Sequence, residues 1–319
     1  MGIVSLGESL IDFTPIVSGG RTTGFEMHPG GSPFNVAVAV ARLGHASAFA
    51  GRVSTDFFGR VLLDHLRSNG VDTTRVHTGA EATTLAFVAI EQGEPAFSFR
   101  AEGTADTLIR PGDLDPVDFV DAEALHIGSI SLLYEPTGTS IVELVRALRG
   151  RVTVTFDPNV RPSLIRDAAL YRDRMRELLG SCDVMKVSAR DRAALESFDP
   201  AALVRAATGP VAVVVTDGAN GSQLYTRDSS ITSPAIPSRV VDTVGAGDAF
   251  TAGLLVGAAD RGGLSRRALE ELDDDDWREV LRFASTAAAL TCERAGAEPP
   301  TRHAVRSRLE ASSATRARP

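Results

Sequence analysis

The chain has 319 residues, 43% of them hydrophobic, and a mean hydropathy of +0.02. That is enough to bury a sizeable core, as one large α/β domain or two smaller ones, and it excludes disorder for most of the length. A formal net charge of -8 excludes the positive stripe that a nucleic-acid or anionic-membrane partner needs, so a small molecule is the expected partner.

One lysine, Lys186, stands among 33 basic residues. A Walker phosphate loop needs Gly-Lys-Ser/Thr, and Lys186 follows Met185, so that nucleotide-binding class is excluded. The protein-kinase signature built on Val-Ala-Ile-Lys fails for the same reason. Cys182 and Cys292 lie far apart and make no disulfide framework, which fits a reducing compartment. The opening Ile3-Val4-Ser5-Leu6 has no basic leader before an apolar segment, and no apolar run approaches the roughly 18 residues of a membrane span. A cytoplasmic location is expected.

In chain order, short β-branched runs alternate with helical patterns, the signature of a mainly parallel sheet covered by helices on both faces. Strands are predicted at Ile3 to Leu6, Ala46 to Val53, Ala124 to Ile130, Val152 to Phe156, Val184 to Val187 and Val211 to Thr216. Helices are predicted at Pro33 to Leu43, Asp56 to Asn69, Pro136 to Arg149, Ser163 to Leu179 and Ala246 to Ala259. Gly44, Gly70, Gly150 and Gly180 each follow one of them, where a left-handed C-cap belongs.

One region breaks the alternation. Thr84 to Ile90 and Ala96 to Ala101 read as a hairpin around Glu91-Gln92-Gly93-Glu94-Pro95, and Phe13 to Met27 is extended and turn-rich. Together they predict a small projecting β-sheet, either a lid that excludes water or a dimer surface. Asp273 to Asp276 read as a solvated helix start favoured by the macrodipole. Ser312 to Pro319 read as a frayed tail.

Chemistry concentrates in Asp242-Thr243-Val244-Gly245-Ala246-Gly247-Asp248. Two glycines let the backbone approach a bulky anion, and the helix that follows turns its free N–H groups toward it. A carboxylate aimed at a polyphosphate repels it unless Asp248 acts as a base toward an attacking hydroxyl. A tight turn into a buried helix would look the same. Gly30-Gly31-Ser32-Pro33-Phe34-Asn35 places Ser32 to N-cap a helix, with Asn35 in its first turn. Gly7-Glu8-Ser9-Leu10-Ile11-Asp12 follows the first strand, where α/β sheets bind ligands, and Asp12 with Asn35 suits a polyol.

On these three motifs, from Ile3 to about Pro300, the sequence resembles the ribokinase-like (PfkB-type) carbohydrate kinases, nearest their fructokinase branch. The resemblance implies a three-layer αβα sandwich, one kinase domain over residues 1–311, and a lid from about 12–29 and 84–106. It implies Asp248 as catalytic base, with Gly245, Ala246, Gly247 and the Asp248 amide as an anion hole. Glu8, Asp12, Gly30, Gly31 and Asn35 match sugar-side positions, with Arg100 reaching from the lid and Arg161 at a strand end. Lys186, Ser188 and Asp191 match a segment that organises magnesium and phosphates. Here Ser188 and Asp191 replace Asn and Glu, so the shorter Asp191 reaches Mg2+ through water.

Thr216, Gly218, Gly221, Ser285 and Gly296 match the nucleotide side, and Asp242 flanks a monovalent-cation site that takes K+ in some members. The implied reaction is transfer of the γ-phosphoryl group of ATP to a primary hydroxyl of a monosaccharide, fructose foremost, by a homodimer joined through the lid sheet. A 2-keto-3-deoxygluconate kinase remains open, because Arg100 and Arg161 suit a carboxylate. A dinucleotide-binding oxidoreductase is disfavoured by Phe250 in place of the third fingerprint glycine, and a non-catalytic sugar sensor by Asp248. His126, within a strand, is expected to satisfy local packing.

Overall fold

The computed structural model describes residues 2–91, 94–195 and 198–316. β1 (Ile3–Leu6) is buried on both faces and continues through Gly7 into β2 (Leu10–Ser18), which pairs with β3 (Arg21–Gly30). After the glycine pair comes α1 (Ser32–Arg42), then β4 (Ser47–Ser54), α2 (Phe57–Ser68) and β5 (Asp72–Gly79). Asp56 caps α2 by accepting from Gly59 N at 2.7 Å. β6 (Thr84–Glu91) and β7 (Glu94–Arg100) form the predicted hairpin, of which Gln92 and Gly93 lie outside the described residues.

The chain then returns to regular alternation. β8 (Ala124–Gly128), α3 (Thr137–Leu148), β9 (Thr153–Asp157), α4 (Ala168–Leu179) and β10 (Val184–Ser188) follow in order. Next come α5 (Ala189–Ala194), α6 (Pro200–Arg205), β11 (Ala212–Thr216), β12 (Ser222–Tyr225) and β13 (Ser230–Ser233). The last four helices are α7 (Ala246–Ala259), α8 (Arg266–Glu271), α9 (Asp274–Cys292) and α10 (Arg302–Arg316).

Nine strands form one sheet in the order β13-β12-β11-β10-β9-β8-β1-β4-β5, and four form a second in the order β3-β2-β6-β7. The large sheet is parallel from β5 to β11, and β12 and β13 run antiparallel at its edge. β2 and β6 pair in parallel, with Leu10 opposite Thr84, so the second sheet grows from the ends of main-sheet elements.

Two apolar clusters fill the two faces of the large sheet: α7 and α9 lie over one, α3 and α4 over the other. α7 is buried nearly all round, and its hydrophobic circumference fits a helix with neighbours on every side. Gly253 allows α9 so close that a Cβ there would stand 2.7 Å from Ala284 Cα. This packing fixes the N-terminal turn of α7 against the end of the sheet.

Several expectations are corrected. Gly44, Gly70 and Gly150 are left-handed, with φ of 75°, 76° and 72°, whereas Gly180 has φ -85° and needs no glycine. The helix predicted from Ser163 starts at Ala168, because Asp167 caps it there, accepting from Ala169 N and Leu170 N. Helix α10 runs through Ser312 to Arg316, into the stretch read as a tail. β5 and β13 were not predicted, being polar edge strands without a clean apolar alternation. Asp273 accepts from Asp275 N and Asp276 N at the start of α9, as a helix cap does. Among the described residues no helix is long and apolar enough to cross a membrane.

Candidate active site

The site lies where β1, β9, β10 and β11 end. The αL turn at Gly245, φ 74°, opens α7, and a Cβ there would press to 2.6 Å from the Ala297 methyl, so glycine is required. Asp248 follows in the first helical turn and is 8% exposed. The expected anion hole is narrower than four amides: Ala246 N donates to Thr243 O at 3.3 Å. Among the described residues, the Gly247 and Asp248 N–H groups have no protein acceptor, as a helix N-terminus provides.

The Asp248 carboxylate is held from α1. Ser32 Oγ donates to its Oδ1 at 2.6 Å, and Asn35 Nδ2 donates to its Oδ2 at 2.8 Å. Ser32 is therefore not the N-cap that the sequence suggested. Gly31, with φ 107°, takes that place, and Ser32 is already helical, leaving its hydroxyl free for Asp248. Gly31 is irreplaceable on steric grounds as well, since a Cβ would meet Glu8 O at 2.7 Å. Burial pushes the Asp248 carboxyl up to about 6; the Ser32 and Asn35 hydrogen bonds and the Lys186 charge pull against that, and Asp157 adds to it.

Asp12, on β2 opposite His28 of β3, packs its carboxylate over Gly30, where any Cβ would collide with Oδ2. Burial first, then the nearby Asp248 charge, push it up to about 7, and Arg161 opposes them. The Arg161 guanidinium is anchored by Nη1 donating to Asn159 Oδ1 at 2.7 Å and Asn159 O at 3.1 Å. Asp12, Asn35 and Asp248 thus converge, with Arg161 beside Asp12.

Glu8 has a different role from the one expected. It is 1% exposed; Oε1 accepts from Ser32 N at 3.1 Å, while Oε2 accepts from Ser131 N at 3.2 Å and from Ser131 Oγ. Burial raises its carboxyl despite these hydrogen bonds. It braces the root of α1 rather than facing a sugar.

Lys186 comes from β10 beneath the loop. Its Nζ donates to Asp157 Oδ2 at 2.8 Å, both groups being buried, and a Cβ on Gly247 would lie 3.0 Å from Nζ. Burial alone would lower the ammonium, but the Asp157 charge and hydrogen bond outweigh it and hold it protonated. The Lys186 ammonium therefore lies beneath the Gly247 backbone, an arrangement that can stabilise charge on a transferring phosphoryl group.

Next to this loop opens a cavity of about 580 Å3. Thr216, Gly218 and Gly221 line one side, Ala246, Gly247 and Phe250 the floor, and Ser285, Ala289 and Cys292 of α9 the far wall. The sequence reading missed Ile236, Pro237 and Ser238, an irregular segment after β13 that carries no motif. Cys292 lines this cavity as well, whereas Cys182 is buried.

Other expected ligands are used by the fold. Asp191 and Ser188 form a capping box: Ser188 Oγ accepts from Asp191 N at 3.0 Å and lies 2.7 Å from Asp191 Oδ2, while Asp191 Oδ1 accepts from Val160 N at 3.0 Å. Gly296 N donates to Asp242 Oδ2 at 2.9 Å and Val244 N to Oδ1 at 3.1 Å, so Gly296 belongs to the Asp242 turn and not to the cavity wall. Arg100 is exposed and folds onto its own strand, donating to Ser98 Oγ and Phe99 O. His126 is buried, with Nδ1 at 3.0 Å from Thr155 Oγ1, a packing histidine as expected. No group of three or more His, Cys, Asp or Glu among the described residues is arranged to hold a metal.

A family model described as pfkB family carbohydrate kinase matches residues 2–304. A probable chloroplastic fructokinase-6 of Arabidopsis thaliana is 37% identical over 96% of this chain and 82% of its own. The structure of a fructokinase from Xylella fastidiosa with bound ATP superposes with a TM-score of 0.87 at 32% identity, covering 98% of this chain and 99% of that one. A fructokinase double mutant from Vibrio cholerae O395, bound to fructose, ADP and potassium ion, gives 0.84 at 28% identity, covering 97% and 98%.

Proposed function

Because this chain belongs to the pfkB family of carbohydrate kinases, we propose that it transfers the γ-phosphoryl group of ATP to a primary hydroxyl of fructose. The observation that carries the proposal is the placement of Asp248: one carboxylate stands between the Asp12 and Asn35 side and the 580 Å3 cavity, beside the free Gly247 and Asp248 amides. Fructose sits against Asp12 and Asn35, and ATP fills the cavity with its γ-phosphate at the turn. The sugar oxygen attacks phosphorus, its proton passes to Asp248, and the bond to the ADP oxygen breaks. Gly247 N–H and Asp248 N–H donate to the transferring group, and Lys186 and Arg161 offset its negative charge.

Magnesium fits this site only through water, because both Asp191 oxygens already accept protein hydrogen bonds and Mg2+ keeps several waters when phosphates supply the rest. When bound it neutralises phosphate charge. Potassium is assigned to the Asp242 turn as the family resemblance implies, and a structure of the Vibrio fructokinase contains a potassium ion. The second sheet serves as a lid over the sugar, the kinase domain spans residues 1–311, and the hairpin β2–β3, with Ile16, Val17 and Phe25 exposed, is the homodimer surface. Two unpaired thiols fit a cytoplasmic home.

The 2-keto-3-deoxygluconate alternative needs arginines free for a carboxylate. Arg100 bonding its own strand favours a neutral sugar. A coupled ADP assay with fructose, ribose, 2-keto-3-deoxygluconate and nucleosides is expected to rank fructose first, faster with potassium than with a bulky organic cation. Fructose inert in that assay overturns the proposal, and indifference to the cation removes potassium from it.

A further inference from the structure

The hydroxyl that meets Asp248 comes from a residue whose sequence context assigns it to its own helix. Ser32 is the first residue of α1, makes no capping hydrogen bond, is 7% exposed, and donates to Asp248 Oδ1 at 2.6 Å across 216 positions of sequence. Its main chain is fixed independently, since Ser32 N donates to Glu8 Oε1 at 3.1 Å and Glu8 is itself held by Ser131. A buried hydroxyl on a main chain clamped from the opposite side has little freedom to turn away.

We propose that Ser32 is a positioning residue for the phosphoryl transfer: its hydroxyl holds one Asp248 oxygen and keeps the carboxylate ionised, so that it can receive the sugar's proton. This rests on Asp248 being the base. Asn35 Nδ2 holds the other oxygen at 2.8 Å, but the proposed function also gives this amide to the sugar, whereas the Ser32 hydroxyl is directed to Asp248. The charged neighbours of Asp248 are Lys186 of β10, Asp157 of β9 and Asp12 of β2, the last facing Arg161. Two carboxylates and burial favour the protonated form; Lys186 and the two hydrogen bonds favour the ionised form. Loss of one hydrogen bond to a charged group is worth about one to two pH units of titration midpoint, so removal of the Ser32 hydroxyl brings the Asp248 midpoint to neutral pH or above.

Ser32→Ala and Ser32→Thr test this. Two readouts are compared with native enzyme: the pH profile of kcat with ATP and fructose, and the titration of the Asp248 carboxyl carbon by 13C NMR without sugar. The NMR signal is assigned by its loss in Asp248→Asn. In S32A the acidic limb and the NMR midpoint are expected to rise together by about one to two pH units, with kcat recovering toward native at high pH, ATP affinity by calorimetry unchanged, and S32T native-like. An unmoved midpoint, or a kcat loss equal at every pH, overturns the role of Ser32. Native enzyme inert with every sugar overturns instead the kinase reading, and the NMR midpoint then still decides whether Ser32 governs Asp248.

Discussion

At the scale of single residues, the site is a set of buried charges that the fold tolerates for the sake of chemistry. Asp12 and Asp248 are both pushed up by burial and, in Asp12, by each other's proximity. Because the Asp12 carboxyl stands at about 7 in the folded chain against an ordinary 3.8, the native state binds its proton more tightly than the unfolded one. That contribution to stability is complete below about pH 4 and is lost as pH rises through 7. Asp12→Asn is therefore expected to melt above native enzyme at pH 8, by on the order of 2 kcal/mol or roughly 4 °C, and level with it near pH 4, while losing sugar affinity. Equal melting temperatures at both pH values would mean that Asp12 carries no buried charge. Such a gain in stability with a loss of function is the usual mark of a functional carboxylate.

At the scale of elements, the buried parallel strands were legible because both their faces are covered, which makes each a short continuous apolar run. Helix α7 matches its predicted bounds, Ala246 to Ala259, since its glycine entry and unbroken apolar length are local signals. The edge strands β5 and β13 escaped notice, their stability coming from neighbours rather than composition. Ser32 and Glu8 were misread for the same reason: what a hydroxyl or carboxylate bonds is decided by elements far away in the chain, here α7 and the segment after β8. Asp242 and Gly296 were separately noticed, but their hydrogen bond spans 54 positions and has no sequence trace. The β2–β3 hairpin carries Ile16, Val17 and Phe25 exposed, with Phe13 stacked on Phe87 and edge-on to Phe25 behind them. Such a patch calls for a partner. Sedimentation should show a native dimer and a monomer for Val17→Asp with Phe25→Glu; a native monomer at every concentration would overturn the proposed dimer surface.

At the scale of the whole molecule, two sheets meet at one site, and each brings part of the reaction. The large sheet presents strand ends and Lys186; the small one brings Asp12; α7 supplies the free amides and Asp248, whose carboxylate α1 holds through Ser32 and Asn35. The cavity reaches the α7 turn at Ala246 and Gly247, one residue before Asp248, so the proposed reaction divides proton acceptance and phosphoryl acceptance between the Asp248 side chain and its turn. In the proposed reaction this carboxylate accepts the sugar's proton. Turnover of Asp248→Asn with ATP and fructose, measured alongside its thermal melting and its ATP affinity by calorimetry, tests that most directly. The expected result is a folded protein that binds ATP and loses about 10²–10⁴-fold in kcat; a folded, ATP-binding variant that keeps most of its turnover would rule out Asp248 as the base.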